Sequence, residues 1–255
     1  PLAAGQRAID RCTTCHMPAQ KTQINHTATT DHRVPRRPRE PAAETPGRHG
    51  SLVRFGRKAG AGLSAEDERD LGLAFVMAAE TPDEMRQALK LLEGAAARHP
   101  EDIEAVEGYA FALTNANRLH ESLEAYERVL AQRPRREFAL GGAAMAAQRL
   151  ARWQASKDYW KRAIAISPTQ VRYHISLAKV CLENRDWEEC AASSRAALKL
   201  QPFSPQSRQY LVAALLNLRQ VAEAEREFEV LMKLDPPDPA ALRRWFEGEK
   251  QGEGN

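Results

Sequence analysis

The sequence predicts an all-α fold, most of which is a solenoid of stacked helical hairpins. The first observation is a set of prolines that recurs every 34 residues, at Pro100, Pro134, Pro168, Pro202 and Pro236. A fixed period of about 20–50 residues is the mark of a repeat architecture. Proline lacks a backbone N–H and disfavours helical conformation in the residue before it, so each one should end a helix and begin a turn.

The second observation is that other columns keep the same register. A small residue stands twelve positions before each proline, an apolar residue stands five before, and a bulky residue stands eight before in four cases of five. Antiparallel helices that approach to about 8–10 Å need small residues where they cross and bulky ones beside the crossing. The small column is Ala88, Ser122, Ser156, Cys190 and Ala224; the bulky column is Leu92, Tyr126, Trp160, Ser194 and Phe228; the apolar column is Ala95, Val129, Ala163, Ala197 and Leu231.

Each unit is therefore expected to consist of a helix A, a short turn and a helix B. In the second unit Asn117 and Arg118 form the turn, and in the first unit Thr81 caps helix B. After the last proline, a helix over 240–248 should cap the array with the polar face that such arrays need. The predicted A helices are 66–79, 103–115, 138–149, 171–183 and 206–218, and the later B helices are 121–132, 154–166, 187–200 and 221–234.

These residues resemble the tetratricopeptide repeat family over about 185 residues, with Ala110, Ala144 and Ala178 in place of the usual small glycine. The resemblance implies five repeats, at about 64–102, 103–136, 137–170, 171–204 and 205–236. It also implies a right-handed superhelix whose concave face, lined by the A helices, binds peptides or partner proteins. A solvated helix face is the alternative, and no Lys/Asn/Arg clamp for a C-terminal carboxylate is evident. The candidate groove residues are Glu107, Phe111, Asn115, Met145, Arg149, Arg172 and Lys179.

Two cysteines, Cys181 and Cys190, fall on helix A and helix B of one predicted hairpin. Small buried cysteines are ordinary core residues. In an oxidising compartment the two could instead form a disulfide between the helices. A metal site is not favoured, because no second pair of ligands is near them in the sequence.

Chemistry is concentrated in residues 12–16, which have the sequence C-T-T-C-H. The pattern C-x-x-C-H is the attachment motif of c-type haem. Cys12 and Cys15 on a short helical turn can reach both vinyl groups of one porphyrin edge, and His16 then points at the iron. The second axial ligand must come from the other face, for which His26 and His32 are the candidates. The motif could alternatively be half of a zinc site completed by His26 or His32.

The segment around this motif resembles the last haem segment of multihaem c-type cytochromes fused to tetratricopeptide repeats. The resemblance rests on C-T-T-C-H-M-P at 12–18, on His26, and on T-D-H-R at 30–33, over about 40 residues. It implies a bis-histidine haem c that transfers electrons, with Cys12 and Cys15 as thioether sites and His16 as the proximal ligand. His32 or His26 would be a distal ligand to this haem or to another one. The family carries several such motifs, whereas this chain carries one.

The sequence also predicts how the chain is divided. Residues 1–34 form a mostly irregular haem-binding segment, 35–63 a basic Pro/Arg/Gly-rich linker, 64–236 the repeats, and 237–255 the capping helix and a disordered tail. The linker carries a local charge of +6 over 33–58, and without interleaved aromatic residues it does not predict a nucleic-acid site. Because the chain starts at Pro1 without Met or an apolar leader, we expect it to be the C-terminal part of a longer protein.

The favoured function is therefore the C-terminal part of a multihaem cytochrome c. Further haem domains would precede Pro1, and the solenoid would dock a redox or assembly partner. Since haem c is attached outside the bacterial cytoplasm, this function predicts a periplasmic or exported protein. The alternative is a non-redox scaffold that binds a peptide and whose Cys/His segment binds zinc or nothing. No catalytic constellation or transmembrane segment is predicted in this chain, although it could belong to a larger oxidoreductase.

Overall fold

A computed structural model describes residues 19–20, 29–30 and 63–251 of the chain. The chain separates into two units, Pro1–Ser51 and Leu52–Asn255, with the boundary inside the predicted linker. In the first unit, β1 (Ala19–Gln20) pairs antiparallel with β2 (Thr29–Thr30). The predicted haem residues Cys12, Cys15, His16, His26 and His32 lie outside the described residues.

The second unit confirms the predicted all-α solenoid. Its described part contains consecutive helices that alternate as A and B, with no strand between 63 and 251. No helix in that range is both long and apolar enough to cross a bilayer. The helices are α1 (Ala65–Ala78), α2 (Pro82–Arg98), α3 (Ile103–Asn115), α4 (Leu119–Gln132), α5 (Glu137–Arg149), α6 (Trp153–Ile166), α7 (Val171–Glu183), α8 (Trp187–Leu200), α9 (Pro205–Asn217), α10 (Val221–Lys233) and α11 (Pro239–Gln251).

The predicted columns form the core between helices. All five members of the small column are fully buried, as are Ala110, Ala144 and Ala178 on the A helices that they face. The hydroxyl of Ser122 donates to the carbonyl of Ala110 at 2.9 Å, and Ser156 donates to Ala144 at 2.8 Å. The helices of a hairpin therefore touch at the small column, where a serine finds a backbone acceptor on the facing helix.

The last four A-to-B turns share one backbone geometry that was not predicted from the sequence. Asn117, Ala151, Arg185 and Arg219, spaced by 34 residues, all have φ between 55° and 61°. The N–H of the following residue donates to a carbonyl five positions earlier, for example Arg152 to Ala147 at 2.8 Å. This hydrogen bond closes a Schellman motif. Arg118, which follows the left-handed Asn117, is the N-cap of the next helix, so α4 begins at Leu119 and not at the predicted 121.

The A helices form the inner face of the solenoid. Helix α1 contacts α3, α3 contacts α5 and α7 contacts α9, whereas within 63–251 no two B helices approach one another to the same extent. At the end of the array α11 packs against α9, and the ring of Phe246 stacks on that of Phe228 at 4.1 Å. Helix α11 is thus the capping helix, longer than the predicted 240–248.

Candidate functional site

A cavity of about 230 Å³ opens on the inner face where α3, α5 and α7 meet; we call it the inner pocket. Its apolar lining comes from both A and B helices. Phe111 and Phe138 lie with ring centroids 5.9 Å apart, and Trp160 and Tyr173 lie 5.8 Å apart. The apolar lining residues are Phe111, Tyr126, Phe138, Met145, Trp160 and Tyr173.

Two adjacent glycines in the middle of α5 make room for this pocket. A Cβ on Gly142 would overlap the ring of Tyr126, so the helix can lie on that ring only with glycine there. A Cβ on Gly141 would make ordinary contact with Trp160, at 3.5 Å. Gly142 therefore permits the close approach, while Gly141 leaves space in the pocket itself.

Large apolar side chains in the inner pocket remain open to solvent. Phe138 is 50% exposed and Met145 is 47% exposed, although both sit on a helix packed firmly into the core. Scattered exposed apolar residues are ordinary, but a concave cluster of them is typical of a binding site. Elsewhere in the described range Met77 and Phe203 are even more exposed, but they line none of the main cavities.

The polar groups of the inner pocket are few. The Tyr173 hydroxyl donates to Oε2 of Glu137 at 2.8 Å. Burial raises the pKa of Tyr173, the Glu137 carboxylate raises it further, and Arg172 opposes both. The indole N–H of Trp160 is buried without a hydrogen-bond partner in the described part of the chain. Arg172 is exposed at the mouth.

Three of the predicted groove residues meet in this pocket, namely Phe111, Met145 and Arg172. Two others lie outside its lining. Asn115 donates its side-chain amide to the carbonyl of Phe111 at 2.9 Å, and Lys179 is half-exposed with its ammonium 3.8 Å from Glu183.

The remaining two predicted groove residues are bonded to side chains or carbonyls elsewhere in the solenoid. The Glu107 carboxylate is only 8% exposed and accepts two charge-assisted hydrogen bonds from Arg136, the shorter at 2.7 Å. Arg149 donates to the carbonyl of Thr114 at 2.9 Å and to Oδ1 of Asn117 at 2.7 Å. These groups are therefore committed to partners within the chain.

Several pocket residues were missed by sequence reasoning. Phe138 was expected only as the first residue of a helix, and Tyr126 and Trp160 only as members of the bulky column. A signal was available in the pair Gly141–Gly142, since glycines inside a predicted helix mark a close approach or an opening. Tyr173 had no such signal, because its place in the wall depends on how α7 packs against α6.

A second group of polar side chains lies between α6 and α8; we call it the Lys157 cluster. Cys181, Asp186 and Glu189 bring ligand atoms within 4.8 Å of one another, the only such set found in the described residues. However, the Lys157 ammonium stands 2.6 Å from Asp186 and 3.0 Å from Glu189. A cation already neutralises these carboxylates, so the cluster is an internal ion network and not a metal centre.

Cys181 and Cys190 are free thiols, and neither has exposed surface. Burial raises the pKa of both thiols, in the case of Cys190 to about 12. Because the thiolate is the reactive form, both thiols should be inert in the folded protein. Their placement matches the interpretation of them as core residues.

Comparison with known proteins bears on the fold. No protein-family model and no curated protein matches the chain. Among solved structures it is similar to MamA AMB-1, with a TM-score of 0.62 and 17% identity over 70% of this chain and 96% of that one. It is also similar to MamA 41-end from Desulfovibrio magneticus RS-1, with a TM-score of 0.60 and 19% identity over 67% and 94% of the two chains. The likeness supports a tetratricopeptide-repeat solenoid.

Proposed function

We propose that the helical part of this chain is a protein-interaction scaffold whose inner pocket receives an apolar side chain of a partner protein. The observation that carries the proposal is the half-exposure of Phe138 and Met145 over a cavity of about 230 Å³. Similarity to the all-helical MamA structures is consistent with a scaffold.

The physical argument concerns rigidity as well as apolarity. The pocket walls belong to helices whose other faces are buried in the core, so a ligand would order few side chains when it binds. Burying one bulky apolar side chain contributes about 1.5–3 kcal/mol. An extended segment of the partner could add backbone and polar contacts along the inner face, and these contacts would increase the affinity beyond that of the single apolar side chain.

Selection of binders from a phage-displayed library of random peptides on the full chain tests this proposal. Selected peptides would be synthesised and their Kd measured by fluorescence anisotropy against Phe138→Ala and Met145→Ala. We expect each substitution to weaken binding by about tenfold or more, equivalent to about 1.4 kcal/mol.

Matched controls are available in the same chain. Phe203, 77% exposed, and Met77, 88% exposed, lie away from the pocket, so Phe203→Ala and Met77→Ala should leave Kd unchanged. If the selected peptides bind the pocket variants and the wild type equally well, the inner pocket is not the binding site and the proposal fails.

For the amino-terminal segment we propose covalent attachment of haem c through Cys12 and Cys15, with His16 as an axial ligand and His32 or His26 on the other side. The support is the C-T-T-C-H motif, because two thiols and an imidazole at this spacing are the donors that haem attachment needs. In this proposal the group supplies electron transfer, the solenoid docks the redox partner, and the protein is periplasmic or exported.

Expression in a host with cytochrome c maturation tests the haem proposal. Iron porphyrin should stay with the protein after acid–acetone extraction, and Cys15→Ser should abolish most of it while helical circular dichroism is retained. A colourless product from such a host would contradict the proposal, and one zinc per chain without iron would favour the alternative zinc site.

A further inference from the structure

Arg172 is the positively charged residue in the lining of the inner pocket. Arg172 lies at the pocket mouth and is exposed, with its guanidinium carbon 5.8 Å from the centroid of the Tyr173 ring. Of the ion pairs found between 63 and 251, none includes Arg172. Within that range this guanidinium therefore lies against an aromatic wall without a carboxylate partner.

The neighbouring charged groups have other hydrogen-bond or ion-pair partners. Glu137 lies in the wall, half-buried, and its Oε2 already accepts a hydrogen bond from Tyr173. Arg149 is bonded to the preceding repeat, and Arg136 is bonded to Glu107. Lys179, about two helical turns further along α7, has Glu183 beside it at 3.8 Å.

We propose that the partner segment carries an aspartate or glutamate close to its apolar anchor, and that Arg172 selects for this carboxylate. The inference rests on the proposed function of the inner pocket. An arginine fork binds a carboxylate through two parallel hydrogen bonds, and an aromatic wall keeps the planar guanidinium oriented for it. An acidic side chain is favoured over a chain terminus, because the pocket mouth offers this one arginine and not a multi-residue clamp.

The test uses peptides from the selection described above, synthesised with amidated carboxyl termini so that only side chains carry negative charge. Enriched sequences should place Asp or Glu within a few positions of the apolar anchor. Replacing that residue by Asn or Gln should weaken binding to the full chain by about tenfold, and Arg172→Gln should do the same to the parent peptide.

Two variants make the test specific. Arg226 on α10 is exposed, forms none of the described ion pairs and lies outside the pocket, so Arg226→Gln should leave Kd within about twofold of wild type. Arg172→Glu should reject the acidic peptide and accept its counterpart in which the acidic residue is replaced by lysine. This charge exchange is a result that a merely structural role of Arg172 would not produce.

The possible failures are distinguishable. If Arg172→Gln and the Asp-to-Asn peptide both bind as the parents do while Met145→Ala still weakens binding, the carboxylate inference is overturned and the proposed pocket stands. If Met145→Ala also has no effect, the proposed function itself falls. If a peptide binds with a free carboxyl terminus but not as its amide, the charge recognised belongs to the terminus, which also overturns the inference.

Discussion

The inner pocket and the Lys157 cluster both lie where neighbouring repeats meet, yet they use their side chains in opposite ways. In the pocket, Phe138 and Met145 are half-exposed and Arg172 has no carboxylate partner among the described residues. In the cluster, the Lys157 side chain is 9% exposed and its ammonium contacts both Asp186 and Glu189. The inner pocket therefore leaves apolar and charged side chains open to solvent, whereas the Lys157 cluster pairs its charges within the chain.

This difference separates the proposed binding site from a cluster that connects two repeats. Buried charges are tolerated only when they are paired, so the Lys157 cluster is best understood as a joint between repeats. Exposed apolar groups on a rigid concave face bring no stability to the chain itself. Substitutions in the cluster should therefore change stability, and those at the pocket mouth should change ligand affinity.

The largest stability effect is expected from Lys157→Met, which keeps the aliphatic stem and removes the ammonium. Asp186 would then have no cation among its described ion pairs, and Glu189 would keep only the exposed Lys161. Breaking a buried pair costs about 3–5 kcal/mol, and because these carboxylates are 28% and 24% exposed we expect about 2–3 kcal/mol. Urea unfolding followed by circular dichroism measures the loss as a lower midpoint.

Lys161→Met is the matched control for this prediction. Lys161 also pairs with Glu189, but its side chain is 49% exposed, so its removal should cost less than about 1 kcal/mol. If both substitutions lower the free energy of unfolding equally, burial does not distinguish the two lysines. The contrast between the cluster and the pocket would then not hold.

A smaller effect should come from the glycine pair under the inner pocket. Gly142→Ala forces a Cβ into the Tyr126 ring, and overpacking of this kind costs about 1–3 kcal/mol. Gly141→Ala meets Trp160 at ordinary contact distance and should stabilise α5 by about 0.5–1 kcal/mol, since alanine favours a helix over glycine. Thermal unfolding of the two variants should therefore shift in opposite directions, and parallel shifts would refute the different roles given to the two glycines.

Much of the fold was predictable because the same pattern of small, bulky and apolar residues recurs in five repeats. The proline spacing and the small column specified which helices cross and where, and the structure buries Ala88, Ser122 and Cys190 at those crossings. The left-handed turns were not foreseen, since Ala151 and Arg185 are not the glycines that such a conformation favours. Their conformation follows from the register that the flanking helices impose.

The candidate site was predictable only in part. The resemblance to tetratricopeptide repeats implied that Phe111, Met145 and Arg172 line the inner face, and the structure brings them together. It could not show that Glu107 and Arg149 are held by residues about thirty positions away along the chain. Partners separated by about thirty positions along the chain become neighbours only when the superhelix sets the distance between repeats.

A third prediction concerns the turn between α5 and α6. Helix α5 carries Phe138 and Met145 of the inner pocket, and α6 carries Lys157. Ala151 has φ of 55°, a conformation that costs an L-residue about 1–2 kcal/mol. Ala151→Gly should therefore stabilise the chain by about 1 kcal/mol without changing peptide affinity. Ala155→Gly within α6 is the control and should destabilise by about 1 kcal/mol. If Ala151→Gly weakens binding, then the turn and the pocket are coupled and the two regions are not independent.

The smallest expected effect is a dependence on acid that belongs to the cluster alone. The hydrogen bond from Lys157 lowers the pKa of Asp186, although burial partly opposes it. A carboxyl group whose folded pKa is depressed stabilises the protein above its unfolded pKa of about 3.9 and loses that contribution as the pH falls through the lower folded value. Unfolding free energy measured between about pH 5 and about pH 3 should therefore fall less steeply in Asp186→Asn than in wild type. If the slope of Asp186→Asn equals that of wild type, then Lys157 does not lower the pKa of Asp186 in the folded state. The Lys157 cluster would then not be a stabilising contact between repeats.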